Sequence, residues 1–88
     1  MSPTSRADIE RAVATALSTV APEADLSTLD PKQGLREQLD LDSMDFLNFI
    51  VGLHHALQIE VPERDYAKLA TLESCVTYLL AALHQRNP

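Results

Sequence analysis

The sequence has one cysteine, no tryptophan, two glycines and few basic residues among its 88 positions. Because Cys75 is the only cysteine, an internal disulfide is excluded. Its place among helically spaced apolar residues predicts a small buried side chain rather than a reactive thiol. Thirteen Asp and Glu against seven Lys and Arg give a formal net charge of −6. This charge argues against nucleic-acid binding and favours partners with basic surfaces.

Long hydrophobic runs are also missing. Polar residues interrupt every apolar stretch well short of the ~20 residues that a membrane-spanning helix needs, and no signal peptide is recognisable. Residues 1–88 are enough for one domain with a single modest core. Because neither a membrane span nor a signal peptide is recognisable, we expect a cytoplasmic protein. The chain begins with Met1 and ends soon after its last apolar stripe, which suggests a free-standing protein, and we expect it to be a monomer.

The apolar pattern is helical throughout, since no segment alternates apolar and polar residues over the length of a strand. Helices are predicted over 5–20, 43–57, 63–69 and 72–84, and the core stripe of the second consists of Leu47, Ile50, Leu53 and Leu57. Capping residues precede the longer helices: Thr4 or Ser5, Asp42 or Ser43, and Thr71. Residues 23–41 are too rich in leucine for a free linker and predict a long loop folded over the core.

The run Asp42-Ser43-Met44-Asp45 is the most distinctive feature of the chain. It places a serine at the start of an apolar helix, at the positive end of the helix dipole. His54 and His55 follow three turns later on the same helix. They are too far from Ser43 to act as the base that activates its hydroxyl. Two interpretations of Ser43 fit these residues alone. It is a helix cap, or it is the attachment site of a phosphate-linked prosthetic group.

From Asp42 to Leu80 the sequence resembles acyl carrier proteins and related phosphopantetheine carriers, without insertion or deletion. The run at Ser43 resembles their Asp-Ser-Leu attachment motif. Ile59-Glu60-Val61-Pro62-Glu63 resembles the segment before their short third helix, and Leu69-Ala70-Thr71-Leu72 resembles the junction into their last helix. The resemblance implies an all-α, four-helix bundle with three longer helices, a short third helix, and a long loop between helices one and two.

The resemblance also implies a chemistry. Ser43 would receive 4′-phosphopantetheine from coenzyme A, giving a phosphoprotein that holds acyl groups as thioesters and is not an enzyme. A phosphopantetheinyl transferase would attach the group, with Asp42, Met44 and Asp45 as its predicted docking residues. The other implied partners are an acyl- or aminoacyl-loading ligase and the downstream synthase or transferase enzymes of fatty acid or polyketide biosynthesis.

The helix after Ser43 departs from carriers of primary fatty acid synthesis, whose equivalent helix is strongly acidic. Here Asp45 is its only acidic residue. Helical spacing places four residues on one face, which we expect to be exposed: Met44, Asn48, Val51 and His55. An apolar and hydrogen-bonding face predicts dedicated partner enzymes in a specialised pathway.

Other residues give weaker indications. Phe46 and Phe49 either line an acyl pocket between the second and third helices or simply pack in the core. The adjacent His54 and His55 point to different sides of a helix and are predicted to be solvated, and no metal site or catalytic residue is predicted.

Three functions stay open: an acyl carrier, an aminoacyl or peptidyl carrier, and an unmodified helical adaptor that uses the same fold for docking.

Overall fold

The structure, a computed structural model, describes residues 5–86, and Thr4, one of the two predicted caps of the first helix, lies outside this range. Four α-helices follow one another: α1 Arg6–Val20, α2 Leu35–Leu39, α3 Ser43–Leu57 and α4 Leu72–Arg86. Two 3₁₀ helices, Leu26–Thr28 and Glu63–Leu69, lie between them. The described part of the chain has no β-strand, and none of its helices is long and apolar enough to cross a membrane. The predicted all-α bundle is confirmed.

Side-chain caps explain where the three long helices begin. Ser5, Asp42 and Thr71 each accept a hydrogen bond from the backbone N–H three residues later, at 3.2, 2.8 and 3.1 Å. Such caps satisfy a donor that has no partner inside the helix. At the other end of α3, Gln58 adopts a left-handed conformation with φ 57°, and its N–H donates to the His54 carbonyl at 2.8 Å. The left-handed residue turns the chain out of the helix.

One hydrophobic core joins α1, α3 and α4. Its buried residues on these helices are Ile9, Val13, Ala16, Leu17, Phe49, Ile50, Leu53, Leu57, Cys75, Val76, Leu79 and Leu83. α3 passes close to α1 at Gly52, where an added Cβ would lie 3.4 Å from the Ala16 Cβ, at the edge of ordinary van der Waals contact. The prediction that Leu47 belongs to the core stripe is wrong, because its side chain is 41% exposed. Viewed down the helix axis at 100° per residue, the buried residues of α3 occupy an arc bounded by Phe49 and Ile50. Leu47 lies outside this arc.

The long segment between α1 and α3 packs over the core, as its leucines predicted. Leu35 and Leu41 are buried, and the other three leucines of the segment are half-buried against the core. Backbone hydrogen bonds tie it to the start of α4: Leu35 N–H donates to the Ala70 carbonyl at 2.7 Å, and Glu73 N–H donates to the Pro31 carbonyl at 2.9 Å. The segment is not wholly irregular, however, since it contains α2 and the first 3₁₀ helix.

Cys75 is fully buried on α4, as the helical pattern predicted. Burial raises the pKa of its thiol to about 12, which keeps it protonated at neutral pH. A protonated, inaccessible thiol is a poor nucleophile. The folded chain therefore has no reactive thiol of its own.

The 3₁₀ helix Glu63–Leu69 is fastened to α4 by a polar contact. The Tyr78 hydroxyl donates to Asp65 Oδ2 at 2.8 Å, and Lys68 Nζ lies 3.5 Å from Asp65 Oδ1. The hydrogen bond from Tyr78, followed by the nearby charge of Lys68, lowers the pKa of Asp65, although partial burial opposes the shift. Burial and the same hydrogen bond raise the pKa of Tyr78.

We expect Tyr78→Phe to lower the thermal unfolding midpoint at pH 7, because Asp65 loses its donor. A carboxyl whose pKa is lower in the folded state stabilises the fold above its unfolded-state pKa of 3.8. This stabilisation is lost as the pH falls through the folded-state pKa. The difference between wild type and variant should therefore shrink in acid, as followed by circular dichroism melts from pH 7 to pH 2. Tyr66→Phe is the control, since the Tyr66 hydroxyl makes no hydrogen bond within residues 5–86. A difference that is independent of pH would show that Asp65 is not the partner.

Candidate functional site

Ser43 is the first residue of α3 and is exposed, but it does not cap the helix. The cap is Asp42, whose Oδ1 accepts from the Asp45 N–H at 2.8 Å, while the Asp42 N–H donates to Asp45 Oδ2 at 3.4 Å. This reciprocal pair is a capping box. The interpretation of Ser43 as a simple cap is therefore wrong. The Ser43 side chain makes no capping hydrogen bond and is exposed at the beginning of α3.

Arg36 on α2 also belongs to the site, although nothing in the sequence around Ser43 pointed to it. One of its guanidinium nitrogens, Nη2, lies 3.5 Å from Ser43 Oγ. The guanidinium carbon stands 5.8 Å from the centre of the Phe46 ring, within the range of a cation–π contact. The site thus has one cation beside the hydroxyl.

An open cavity of about 520 Å³ lies beside Ser43, between α3 and the second 3₁₀ helix. Its lining residues are Arg36, Glu37, Ser43, Phe46, Leu47, Glu63, Tyr66, Ala67 and Ala70. Of the two phenylalanines named as pocket or core residues, Phe46 lines this cavity and Phe49 does not. The Phe49 side chain is fully buried, with its ring centre 6.0 Å behind that of Phe46. It supports the cavity wall from the core and does not line the cavity.

The four residues predicted to share a face of α3 are all exposed. Met44 is 65% exposed and Val51 44% exposed, and Asn48 and His55 are also exposed. Leu47, which the sequence pattern assigned to the core, adds a third large apolar side chain to this side of the helix. Exposed apolar residues clustered on one face are typical of binding surfaces.

The two adjacent histidines have different environments. His55 is exposed, whereas His54 is half-buried and its Nδ1 lies 3.0 Å from the Ile59 carbonyl oxygen. The prediction that both are solvated is therefore wrong for His54, because the chain turns back over it after α3. Within residues 5–86, no group of three or more His, Cys, Asp or Glu side chains is placed to hold a metal ion.

The geometry limits what Ser43 can do on its own. His54 lies eleven residues further along α3, about 16 Å away at 1.5 Å per residue, so it cannot take a proton from the hydroxyl. His54 therefore cannot activate Ser43 as the base of a hydrolase would. An exposed hydroxyl that does not cap the helix and lies beside an open cavity is a suitable attachment point for a group that another enzyme adds.

Known proteins share this sequence pattern. Residues 9–79 match the family model described as "Phosphopantetheine attachment site". The acyl carrier protein of Rubrobacter xylanophilus is 34% identical over 56 residues, which cover 64% of this chain and 69% of that protein. The acyl carrier protein of Campylobacter jejuni subsp. doylei is 32% identical over 72 residues, covering 82% and 87%. That of Helicobacter hepaticus is 28% identical over 57 residues, covering 65% and 75%.

The matched family model covers most of the chain and includes the exposed serine and the cavity beside it. Membership of this family implies a covalently attached 4′-phosphopantetheine group, and its members are carriers rather than enzymes. They work with a phosphopantetheinyl transferase and with biosynthetic enzymes in general. Family membership therefore favours the two modified carriers over the unmodified adaptor. The chain belongs to the phosphopantetheine-attachment family, together with the acyl carrier proteins.

Proposed function

We propose that this protein is an acyl carrier whose phosphopantetheine arm is attached to Ser43 Oγ, in a specialised biosynthetic pathway. The observation that carries the proposal is the exposed hydroxyl of Ser43 at the first position of α3. This hydroxyl does not cap the helix, because Asp42 is the N-cap. The arm supplies a terminal thiol on which cargo is held as a thioester. The chain's own part is to present one serine in a fixed direction.

Attachment needs a separate enzyme. The acidic residues around Ser43 do not attract a phosphate group, since Asp42 and Asp45 flank it and Glu37 and Glu63 line the same cavity. Carboxylates repel a phosphodiester, and the effect of a helix N-terminus is only about 0.3–1 kcal/mol on a surface. A transferase must therefore supply the Mg²⁺ and the base that takes the Ser43 proton. As the Oγ–P bond forms, the pyrophosphate bond of coenzyme A breaks and adenosine 3′,5′-bisphosphate leaves. Asp42, Met44 and Asp45 are its proposed docking residues, and Asp42 and Asp45 serve the capping box as well.

The proposed attachment is tested with purified apo-protein, coenzyme A, Mg²⁺ and a broad-specificity phosphopantetheinyl transferase. We expect intact-mass spectrometry to show the addition of one phosphopantetheine per chain. Protein purified from its native host should carry the same group, either free or loaded. The mass of the loaded form separates an acyl cargo from an aminoacyl or peptidyl one. A chain that stays unmodified in both experiments would support the adaptor instead.

The proposed partner surface is the exposed side of α3 formed by Met44, Leu47, Asn48, Val51 and His55, which we call the α3 face. It has three apolar side chains and no carboxylate beyond Asp45 at its start. Interactions between exposed charges are screened beyond about 8 Å at physiological ionic strength, whereas apolar contacts are not. We therefore expect cognate partner enzymes to recognise this face with only a weak dependence on salt.

Met44→Glu and Val51→Glu should each slow cargo transfer to the cognate enzyme, because each buries an unpaired carboxylate in the interface. Thr77→Glu, on the exposed side of α4, adds the same charge elsewhere and is the control. Transfer rates are measured from low to high salt for the wild type and the three variants. A steep decline of wild-type transfer with salt, or equal rates for all variants, would contradict an apolar recognition face.

A further inference from the structure

Arg36 is a surface residue whose side chain is nevertheless fixed in direction. Its Nε lies 3.5 Å from the Leu41 carbonyl oxygen, its Nη2 lies 3.5 Å from Ser43 Oγ, and its guanidinium stands over the Phe46 ring. Each contact is weak alone, but together they hold a long, exposed side chain against one point of the surface. That point is the beginning of α3.

The backbone also brings Arg36 to Ser43. Asp40 ends α2 in a left-handed conformation with φ 53°, and the Leu41 N–H donates to the Arg36 carbonyl at 2.9 Å. Leu35, the residue before Arg36, is fully buried and anchors α2 to the core. The chain therefore turns back on itself and places Arg36 over the residue seven positions later. The contact does not depend on the side-chain conformation alone.

The charges around Ser43 give this arginine a role. Among the residues that line the cavity, Arg36 is the single cation, and Glu37 and Glu63 line the same cavity. Asp42 and Asp45 add two carboxylates at the helix start. At the start of the helix, the Asp45 and Phe46 N–H groups already donate to Asp42, to its side chain and its carbonyl, and these two donors are not free to bind an anion. A phosphate group on Ser43 would therefore lie beside this guanidinium, in a site whose other charged residues are acidic.

We propose that Arg36 binds the phosphodiester formed on Ser43 and directs the arm across the Phe46 ring toward the cavity. Guanidinium groups pair well with phosphate oxygens because their N–H donors form a planar fork. The phosphorus is bonded directly to Ser43 Oγ, the atom that Nη2 already approaches. Arg36 is thus a positioning residue for the arm, and this role rests on the proposed attachment at Ser43.

The test uses the full chain in apo and holo forms, with modification first verified by intact mass. In the wild type, the Arg36 Nε–H resonance should shift between apo and holo forms in ¹H–¹⁵N spectra, while that of Arg11, exposed on α1, should not. The ³¹P resonance of the holo protein should differ from its position in the denatured protein. It should move toward that position as salt is raised, since salt screens the pair.

Three variants sharpen the result. Arg36→Gln should bring the ³¹P resonance to the denatured position. It should also lower the unfolding midpoint of the holo form relative to the apo form, compared with the same difference in the wild type. Arg36→Lys should have a smaller effect, and Arg11→Gln none. A ³¹P shift and an Arg36 Nε–H resonance that respond to none of these changes would overturn the role of Arg36 while leaving the attachment intact. Failure of the chain to gain mass would overturn both proposals.

Discussion

Ser43→Ala is expected to abolish phosphopantetheine attachment while leaving the fold unchanged. The variant removes the only oxygen that could form the phosphodiester at this position. It does not remove the cap of α3, because Asp42 and Asp45 form the capping box. Alanine is also a better helix former than serine. We therefore expect the free energy of unfolding to change by less than about 0.5 kcal/mol, as for an ordinary surface substitution.

The experiment compares wild type, Ser43→Ala and Ser18→Ala after incubation with transferase and coenzyme A. Ser18 is an exposed serine on α1, and its replacement should leave modification complete. Asp42→Ala is the matched structural variant, because loss of an N-cap costs about 0.5–2 kcal/mol and it should destabilise the protein where Ser43→Ala does not. Modification of the Ser43→Ala protein would show that another residue carries the arm.

The second large effect is expected in the core. Leu53 and Leu79 are at most 1% exposed, on α3 and α4. Truncation of a buried leucine to alanine costs roughly 2–5 kcal/mol, through lost burial and the cavity left behind. Small domains are stable by only about 5–15 kcal/mol, so Leu53→Ala or Leu79→Ala could remove much of the stability of this one. Urea denaturation followed by circular dichroism measures the loss.

Met44→Ala and Val51→Ala are the controls for the core substitutions. They also remove apolar atoms from α3, but from side chains that are 65% and 44% exposed. We expect each to cost well under the core substitutions, because little burial is lost. Similar losses for Leu53→Ala and Val51→Ala would mean that α3 turns a different side toward α1.

The long helices could be predicted from the sequence because their signals are local. The helix predicted over 43–57 is observed as Ser43–Leu57, with a cap at one end and a left-handed residue after the other. α2 was missed because its five residues are too few to show a helical period. Its buried Leu35 and its hydrogen bond to Ala70 come from packing against the distant start of α4. Such tertiary stabilisation leaves no local pattern in the sequence.

The site was predictable only in part for the same reason. Ser43 stands out through its immediate neighbours, but Arg36 reaches it through the left-handed turn at Asp40, which the sequence did not indicate. Phe46 and Phe49 carry the same side chain one turn apart. Which of them lines the cavity depends on where α1 and the second 3₁₀ helix pack. The exposure of Leu47 likewise follows from the rotation of α3 against α1.

Peptide mapping of the modified protein identifies the residue that carries the phosphopantetheine arm. Trypsin cleaves after Arg36 and Arg64, and the resulting peptide, residues 37–64, contains a single hydroxyl side chain, that of Ser43. We expect tandem mass spectrometry to find phosphopantetheine on this peptide and on no other. Phosphopantetheine on any other peptide, or its absence from peptide 37–64 in fully modified protein, would contradict the assignment of Ser43 as the attachment site.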